Sequence, residues 1–529
     1  MNAGVVTAEL VVDIDMPLDP VVSPDGRWVA YVVAAMGRRA ERGSGAIWVA
    51  AADGSVPPRR VSVSTVRDRL PRWAADSCGL FFLSDRGGST QLCRVALEGG
   101  EPEQLTSWGS GIDDHLPLAC GRLVAVVAAD EPAGEDGRGR DEGDDVWVWG
   151  QKEPCGRLWL LDLDSGRMRV VDGLGDRHVA ELAQRQDGGA LAVLSWAGPV
   201  PDPVRFVCEL QVVDVETGRV RDLGETEPEA CSPVWWRTED GWRLCYLATT
   251  PPGPVGGRAV FDLAVPEVAV VSEVEPAREV GAAREAEPAR EVGAAREAES
   301  AAEVGAARAA EVGGLVAARN LTDGMTVCPS GLAQVPDGPP LALFADGLDT
   351  AICRLDPGTR RFERLSMRPG FAGSLSAGGR REPVVAVLAS TAYEPMNVHA
   401  GPPAGPLSPL SDTRPELRAI TWGRQERLSY RASDGLGLDG LLILPPGKSR
   451  DDGPYPLVTL VHGGPYARYA DQLTLGVIPS AQWLAGAGVR GVPAEPAGRR
   501  RPRARVRGGG GGWRWAGRSG RTSSPGSTC

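Results

Sequence analysis

From its start to about residue 400 the chain alternates short apolar runs with turn residues, and the alternation repeats. The opening unit is VVSPDGRWVAYVV at 21–33. Ser23-Pro24-Asp25-Gly26 is turn chemistry, since Pro presets one φ and Gly accepts a positive one. Residues 27–33 then alternate as a half-buried strand does. A second strand follows at 46–50 (AIWVA), then a turn at Asp53-Gly54, then RRVS. The unit returns at Pro71 as PRWAADSCGLFFLSDRGGSTQLCRVALEGGEPEQLT, and again as GRLVAVVAAD with RLWLLDLDSGRMRVVD. Further copies are DGGALAVLSW with ELQVVDVETGRVRDL, SPVWWRTEDGWRLCYLATT ending at ARNLT, PPLALFADGLDTAICRLDPGTRRFERLS, and REPVVAVLASTAYEPMNVHA.

No such unit can bury both of its faces alone. Radial stacking solves that, so the pattern predicts a β-propeller of about seven blades over 1–410. An array of β-sandwiches or a set of unrelated short-stranded domains is the alternative; the fixed order of turn, strand and second strand favours the propeller. The fifth unit is interrupted at 273–313 by EPAREVGAAREA, the same twelve residues again, and the degraded copy ESAAEVGAARAA. Gly and Pro in each copy weaken helix, and the apolar content is too small for a core, so a solvated insertion is expected rather than a partner-binding helix.

After Pro415 the texture changes. ERLSYRASDGLGLDGLLILPPG reads as two alternating strands around an Asp434-Gly435 turn. In PYPLVTLVHGGPYARYADQ, residues 456–461 form a continuous apolar run, as in a strand buried on both faces. It ends at His462-Gly463-Gly464-Pro465, and 479–488 (PSAQWLAGAG) reads as an amphipathic helix. Glycines after a buried strand let backbone N–H groups approach a substrate oxygen, which is how an α/β-hydrolase builds its oxyanion loop. The span 416–488 is therefore expected to be the first part of an α/β-hydrolase catalytic domain, incomplete beyond its opening strands. So few strands bury little area, and a labile segment is expected.

The propeller repeats, the segment TAYEPMNVHA, and SDGLGLDGLLILPPG followed by PLVTLVHGGPYAR together resemble the prolyl oligopeptidase family of serine peptidases, and within it the acylaminoacyl-peptidase-like branch. The resemblance runs from the first blade to about Gly488. It implies a propeller capping an α/β-hydrolase domain and hydrolysis of short peptides, which would be the partners of the full-length parent. It also implies that Gly463 and Gly464 belong to the oxyanion-hole loop, with Gly464 the backbone donor, while His462 shapes the loop and is not the catalytic base.

That chemistry needs Ser, Asp and His in this chain order. No G-x-S-x-G follows Gly464, and the four histidines, His115, His178, His399 and His462, include none after the loop. The triad is absent from the sequence, and the chain is read as C-terminally truncated and inactive. Ser519, Ser523, Ser524 and Ser527 stand in a Gly/Arg-rich tail without strand–turn–helix context. The tail, 489–529, has no periodicity. It reads as a basic disordered tail, as a nucleic-acid-binding tail, which the acidic body disfavours, or as an out-of-frame translation: codons for VFLPNPRG, read from their third base, give VPAEPAG, the residues at 492–498. The last reading fits better than the other two, because the family carries such a strand and loop at this point.

Composition adds exclusions. A net charge of -12 argues against general nucleic-acid binding. No apolar run approaches a bilayer span, and no basic region followed by an apolar core opens the chain, so neither membrane contact nor a signal peptide is read. Ten scattered cysteines without C-x-x-C spacing are expected to be reduced thiols of a cytoplasmic protein, with no metal and no cofactor. A second function class stays open: a non-enzymatic propeller that binds peptide or protein.

Overall fold

Turn chemistry sets the architecture. Strands two and three of each repeat are apolar runs joined through Gly, Asp and Ser turns, and each folds onto its predecessor as an antiparallel neighbour. In the computed structural model, which describes residues 6–36, 44–63, 66–131, 154–200, 205–250, 257–266, 318–462, 468–475, 481–486 and 490–495, this produces a seven-bladed propeller. Its four-stranded antiparallel sheets lie at 14–60, 68–104, 114–170, 178–225, 231–320, 328–368 and 371–409. The first strands of successive blades adjoin one another around the ring, which makes them the inner strands. Blade five takes its last strand, Arg319–Asn320, from beyond the low-complexity segment. That insertion, 273–313, lies outside the described residues.

Two recurrent side-chain devices shape the blades. In the first, an aspartate opens the turn between strands three and four: Asp162, Asp214 and Asp356 accept backbone N–H bonds from Ser165, Thr217 and Thr359 at 2.9, 2.7 and 2.6 Å. An Asx turn of this kind replaces a backbone turn and fixes the hairpin register. In the second, a hydroxyl follows the short outer strand. Ser62, Thr106, Thr226, Thr322 and Ser411 accept the N–H of Ile47, Leu92, Cys208, Val260 and Val398 at 2.9–3.2 Å. Each satisfies a buried donor that the departing outer strand would leave unpaired, a loss that costs about 1–3 kcal/mol.

Between blades the apolar faces stack. Ala30, Ile47 and Val49 of blade one meet Leu80, Phe82 and Val95 of blade two, and Leu194 and Leu210 of blade four meet Trp235, Leu244 and Phe261 of blade five. Blade seven closes on blade one in the same way, through Ala386, Leu388 and Val398 against Val22, Val29 and Tyr31. Among the described residues no strand is exchanged at this seam. Polar ties supplement it: Ser376 Oγ accepts the Val22 N–H at 3.0 Å, and the Tyr31 hydroxyl donates to the Leu410 carbonyl at 3.3 Å.

The inner strands bury polar groups, and one of them sets an acid limit. His115, on the inner strand of blade three, is 1% exposed. Burial, with the Arg72 charge adding to it, pushes its imidazole down to about 3. An unfolded histidine titrates near 6.5. Between those values the unfolded chain takes up the proton and the folded one does not. Stability is therefore full above about 6.5 and falls as the pH drops towards 3, by roughly 1.4 kcal/mol per pH unit for one such group. Denaturant unfolding at pH 7 and pH 5 should show this slope, and His115→Phe, which keeps a ring but cannot titrate, should flatten it. Equal slopes in the two proteins would contradict the assignment.

Beyond the propeller stands an eighth sheet of different character. Its strands Gln425–Arg431 and Gly437–Ile443 form an antiparallel hairpin, followed in spatial order by Arg490–Glu495 and Leu457–Val461, the last two parallel. The hairpin turns at Asp434-Gly435 as the sequence predicts, with Gly435 at φ 86° and its N–H on the Ala432 carbonyl. Arg490–Glu495 is strand, although it lies in the stretch read as a disordered tail. The short helix Ala481–Gly486 falls inside the helix expected at 479–488.

Candidate active site

The His462-Gly463-Gly464-Pro465 motif starts where the strand Leu457–Val461 ends. His462 is partly buried, and its ring meets the edge of Tyr469 with centroids 5.8 Å apart. Burial pushes the Tyr469 phenol up. Gly463, Gly464 and Pro465, the rest of the motif, lie outside the described residues.

The strand before the motif differs from its expected environment. A run buried on both faces was read; instead Leu457 is 61% and Val461 71% exposed. Leu457–Val461 is the last strand of its sheet, so one edge has no partner strand among the described residues. Among the described residues only one face is covered. Leu460 packs with Leu441 and Ile443 under Ala481 and Ala485 of the helix, and Leu348 of blade six completes that cluster. An apolar run in a parallel pair normally has layers on both sides; here Leu457 and Val461 point away from the one layer that the described residues supply.

Among the described residues the strand thus has an unpaired backbone edge beside an exposed apolar face, a template for pairing with another chain. Leu457→Lys together with Val461→Lys should raise the protein concentration at which light scattering detects association, by several-fold or more. Both sites are exposed, so Tm should hold, the change in stability staying within about 0.5 kcal/mol. Unchanged association would show that the edge is not the adhesive surface.

The segment is nonetheless tied down by polar contacts that the sequence does not announce. Gln482, 2% exposed, bonds both the N–H and the carbonyl of Gly423, at 2.9 and 3.1 Å. Arg427 donates to both oxygens of Asp349, at 2.7 and 2.6 Å, and to Asp471 at 2.6 Å. Burial disfavours charge on Asp349, but Arg427 and the Gly370 N–H outweigh it and hold the carboxyl below its ordinary range. The local signal was present, as Arg468 and Asp471 follow the motif closely; the partners, Asp349 and Thr350 for Arg468 and Arg427 for Asp471, are too distant in sequence to be found by pattern.

The described residues bring no triad together. His115, His178 and His399 belong to propeller strands. Burial pushes all three below the ordinary imidazole range. His178 Nδ1 accepts the Gly156 N–H at 3.0 Å, so its proton sits on Nε2. The tail serines Ser519, Ser523, Ser524 and Ser527 lie outside the described residues. Beside the motif, among the described residues, a void of ≈ 10 Å³ lies between Leu460, Tyr469 and Gln482, room for about one water. A larger cavity of ≈ 280 Å³ belongs to blade seven, between Glu394, His399 and Arg418. No cluster of His, Cys, Asp or Glu among the described residues could hold a metal ion, and no described helix is long and apolar enough to cross a membrane.

Propeller plus mixed sheet, with a parallel strand running into His462, define the class: a seven-bladed β-propeller followed by a four-stranded mixed sheet. The homologues and structural neighbours of this chain are prolyl oligopeptidase family peptidases. It is 32% identical over 247 residues to the uncharacterized peptidase YuxL of Bacillus subtilis, a match spanning 46% of this chain and 31% of that protein. Among solved structures it resembles a puromycin-hydrolyzing peptidase of Mycobacterium tuberculosis (TM-score 0.62, 17% identity, 93% of this chain and 68% of that one). It also resembles the acylaminoacyl peptidase of Pyrococcus horikoshii (TM-score 0.59, 13% identity, 91% of this chain and 65% of that one). At these identities the structural likeness establishes the fold. The chain thus spans about a third of YuxL's length and about two thirds of the Pyrococcus enzyme's. No protein-family model matches it.

Proposed function

We propose that these 529 residues carry the propeller and the oxyanion-loop side of a serine peptidase that acts on short peptides, of the aminoacyl or acylaminoacyl type, and that by themselves they do not hydrolyse. Lineage is supported by the motif at 462–465, placed directly after a parallel strand that follows a propeller. Inactivity rests on one observation: no histidine follows His462 and no G-x-S-x-G follows Gly464, so neither nucleophile nor base is supplied. The propeller histidines offer no substitute: they sit on blade strands, and burial weakens each as a base. In this reading Gly463 and Gly464 would present backbone N–H groups to a carbonyl oxygen, and His462 would shape that loop. The domain limits of the proposal are 1–410 for the propeller and 416–488 for the catalytic portion, with an out-of-frame tail from 489.

Chromogenic aminoacyl and acylaminoacyl anilides test it. Incubated with the purified chain, they should release chromophore no faster than in buffer. Turnover that co-purifies with the chain through two orthogonal columns would refute the proposal.

A further inference from the structure

The contacts between blade six and the segment after the motif exceed what chain connectivity alone requires. The hairpin joining strands Leu341–Asp346 and Asp349–Leu355 turns through Gly347 and Leu348, with Gly347 at φ 56°. A two-residue turn needs a positive φ at its first position, and Gly supplies it. The tight turn pushes Leu348 outward, yet Leu348 is only 6% exposed, because it enters the apolar cluster of Leu441, Ile443, Ala481 and Ala485. The propeller thus lends one side chain to the core of the other sheet.

Around that side chain the polar groups interlock. Arg468 donates to the carbonyls of Gly347 and Asp349 at 3.0 and 2.7 Å and to the Thr350 hydroxyl at 2.7 Å. Thr350 is fully buried, and its hydroxyl in turn donates to the Gly370 carbonyl at 3.0 Å. The Asp471 N–H bonds the Leu348 carbonyl at 3.0 Å, and the Leu473 N–H bonds the Thr391 carbonyl at 2.6 Å. Arg427 bridges Asp349 of the hairpin to Asp471 of the segment. One guanidinium therefore reads backbone and hydroxyl oxygens, and the other neutralises one carboxylate from each side. A planar fork with five donors suits both tasks; an ammonium suits neither.

We propose that the blade-six hairpin is a latch, holding residues 468–473 in place through Arg468 and Arg427, so that the propeller fixes where the chain emerging from the oxyanion loop is anchored. The latch rests on the functional reading only for what it positions; its existence as a mechanical element does not.

Hydrogen exchange on the full-length chain tests this. Arg427→Ala with Arg468→Ala should speed amide exchange at Asp471 and Leu473 by about tenfold or more while blade strands keep their protection. Arg468→Lys should not restore it. Arg364→Ala, which removes an exposed ion pair to Asp346 at the same hairpin, should change nothing. In the wild-type chain, salt should speed exchange at Asp471 and Leu473, because the Arg427 pairs are partly exposed and screened; this arm needs no variant to fold. Exchange at those two amides that ignores both the double substitution and salt would overturn the latch, as would loosening of blades and segment together. An active serine would sink the functional reading and leave the latch standing.

Discussion

Asp262→Ala should cost about 3–5 kcal/mol of folding stability, the expected loss when one partner of a buried ion pair is removed. Asp262 is 0% exposed at the heart of blade five. It accepts from Arg243 Nε at 2.9–3.0 Å, from Arg243 Nη2 at 2.5 Å and from the Trp236 indole at 3.1 Å. The arginine side chain is itself only 10% exposed. Deleting the carboxylate leaves a guanidinium and an indole N–H without their acceptor, where water cannot easily reach them. Replacing both ends tells the two contributions apart. Arg243→Met with Asp262→Leu removes the desolvated charges together and should recover most of the loss. Urea unfolding followed by tryptophan fluorescence reports both, since Trp236, bonded to Asp262, is fully buried, as is its neighbour in the chain Trp235. A loss under about 1 kcal/mol for the single variant would show that water solvates this site.

A second large effect is expected at Gly370, at the seam of blades six and seven. Its φ is 73°, and a Cβ there would overlap the carbonyl oxygens of both Asp471 and Ser390. Gly370→Ala therefore pays twice: for a left-handed backbone, about 1–2 kcal/mol, and for displacing two backbone segments, about 1–3 kcal/mol. Ala at Gly435 has the same backbone problem with nothing within 4 Å of its Cβ. Comparing the two isolates the steric part. Equal Tm losses would mean that the seam yields freely.

Much of the propeller was legible because its second and third strands are apolar runs bounded by turn residues. The inner strands were mostly missed. Strands Asp114–Pro117, Cys328–Ala333 and Phe371–Gly378 precede the units recognised in the sequence, and they mix Asp, His, Ser and Gly with few apolar side chains. Several also bulge: the register shifts at Arg69/Arg72, Cys231/Val234 and Gly373/Ser376 break the period of two, with Leu70, Ser232 and Ser374 at positive φ. Alternation cannot reveal a strand whose alternation is interrupted.

The site was legible as a motif and not as an environment. PLVTLV reads as a strand wherever it occurs, but its exposure depends on which strands adjoin it, and these come from elsewhere in the chain. The same holds for Arg427 and Arg468. Their charge is visible in the sequence; that both reach one hairpin of blade six follows only from the closed ring.

The central claim is that these residues contain no activated serine, and a fluorophosphonate probe tests it most directly, because it reacts with the nucleophile that a neighbouring base has primed and spares ordinary hydroxyls. Intact-mass spectrometry of the purified chain after treatment should show the unmodified mass, while an active serine peptidase treated alongside shifts completely. One probe per chain, mapped by peptide analysis to a single serine, Ser519, Ser523, Ser524 and Ser527 included, would contradict the account.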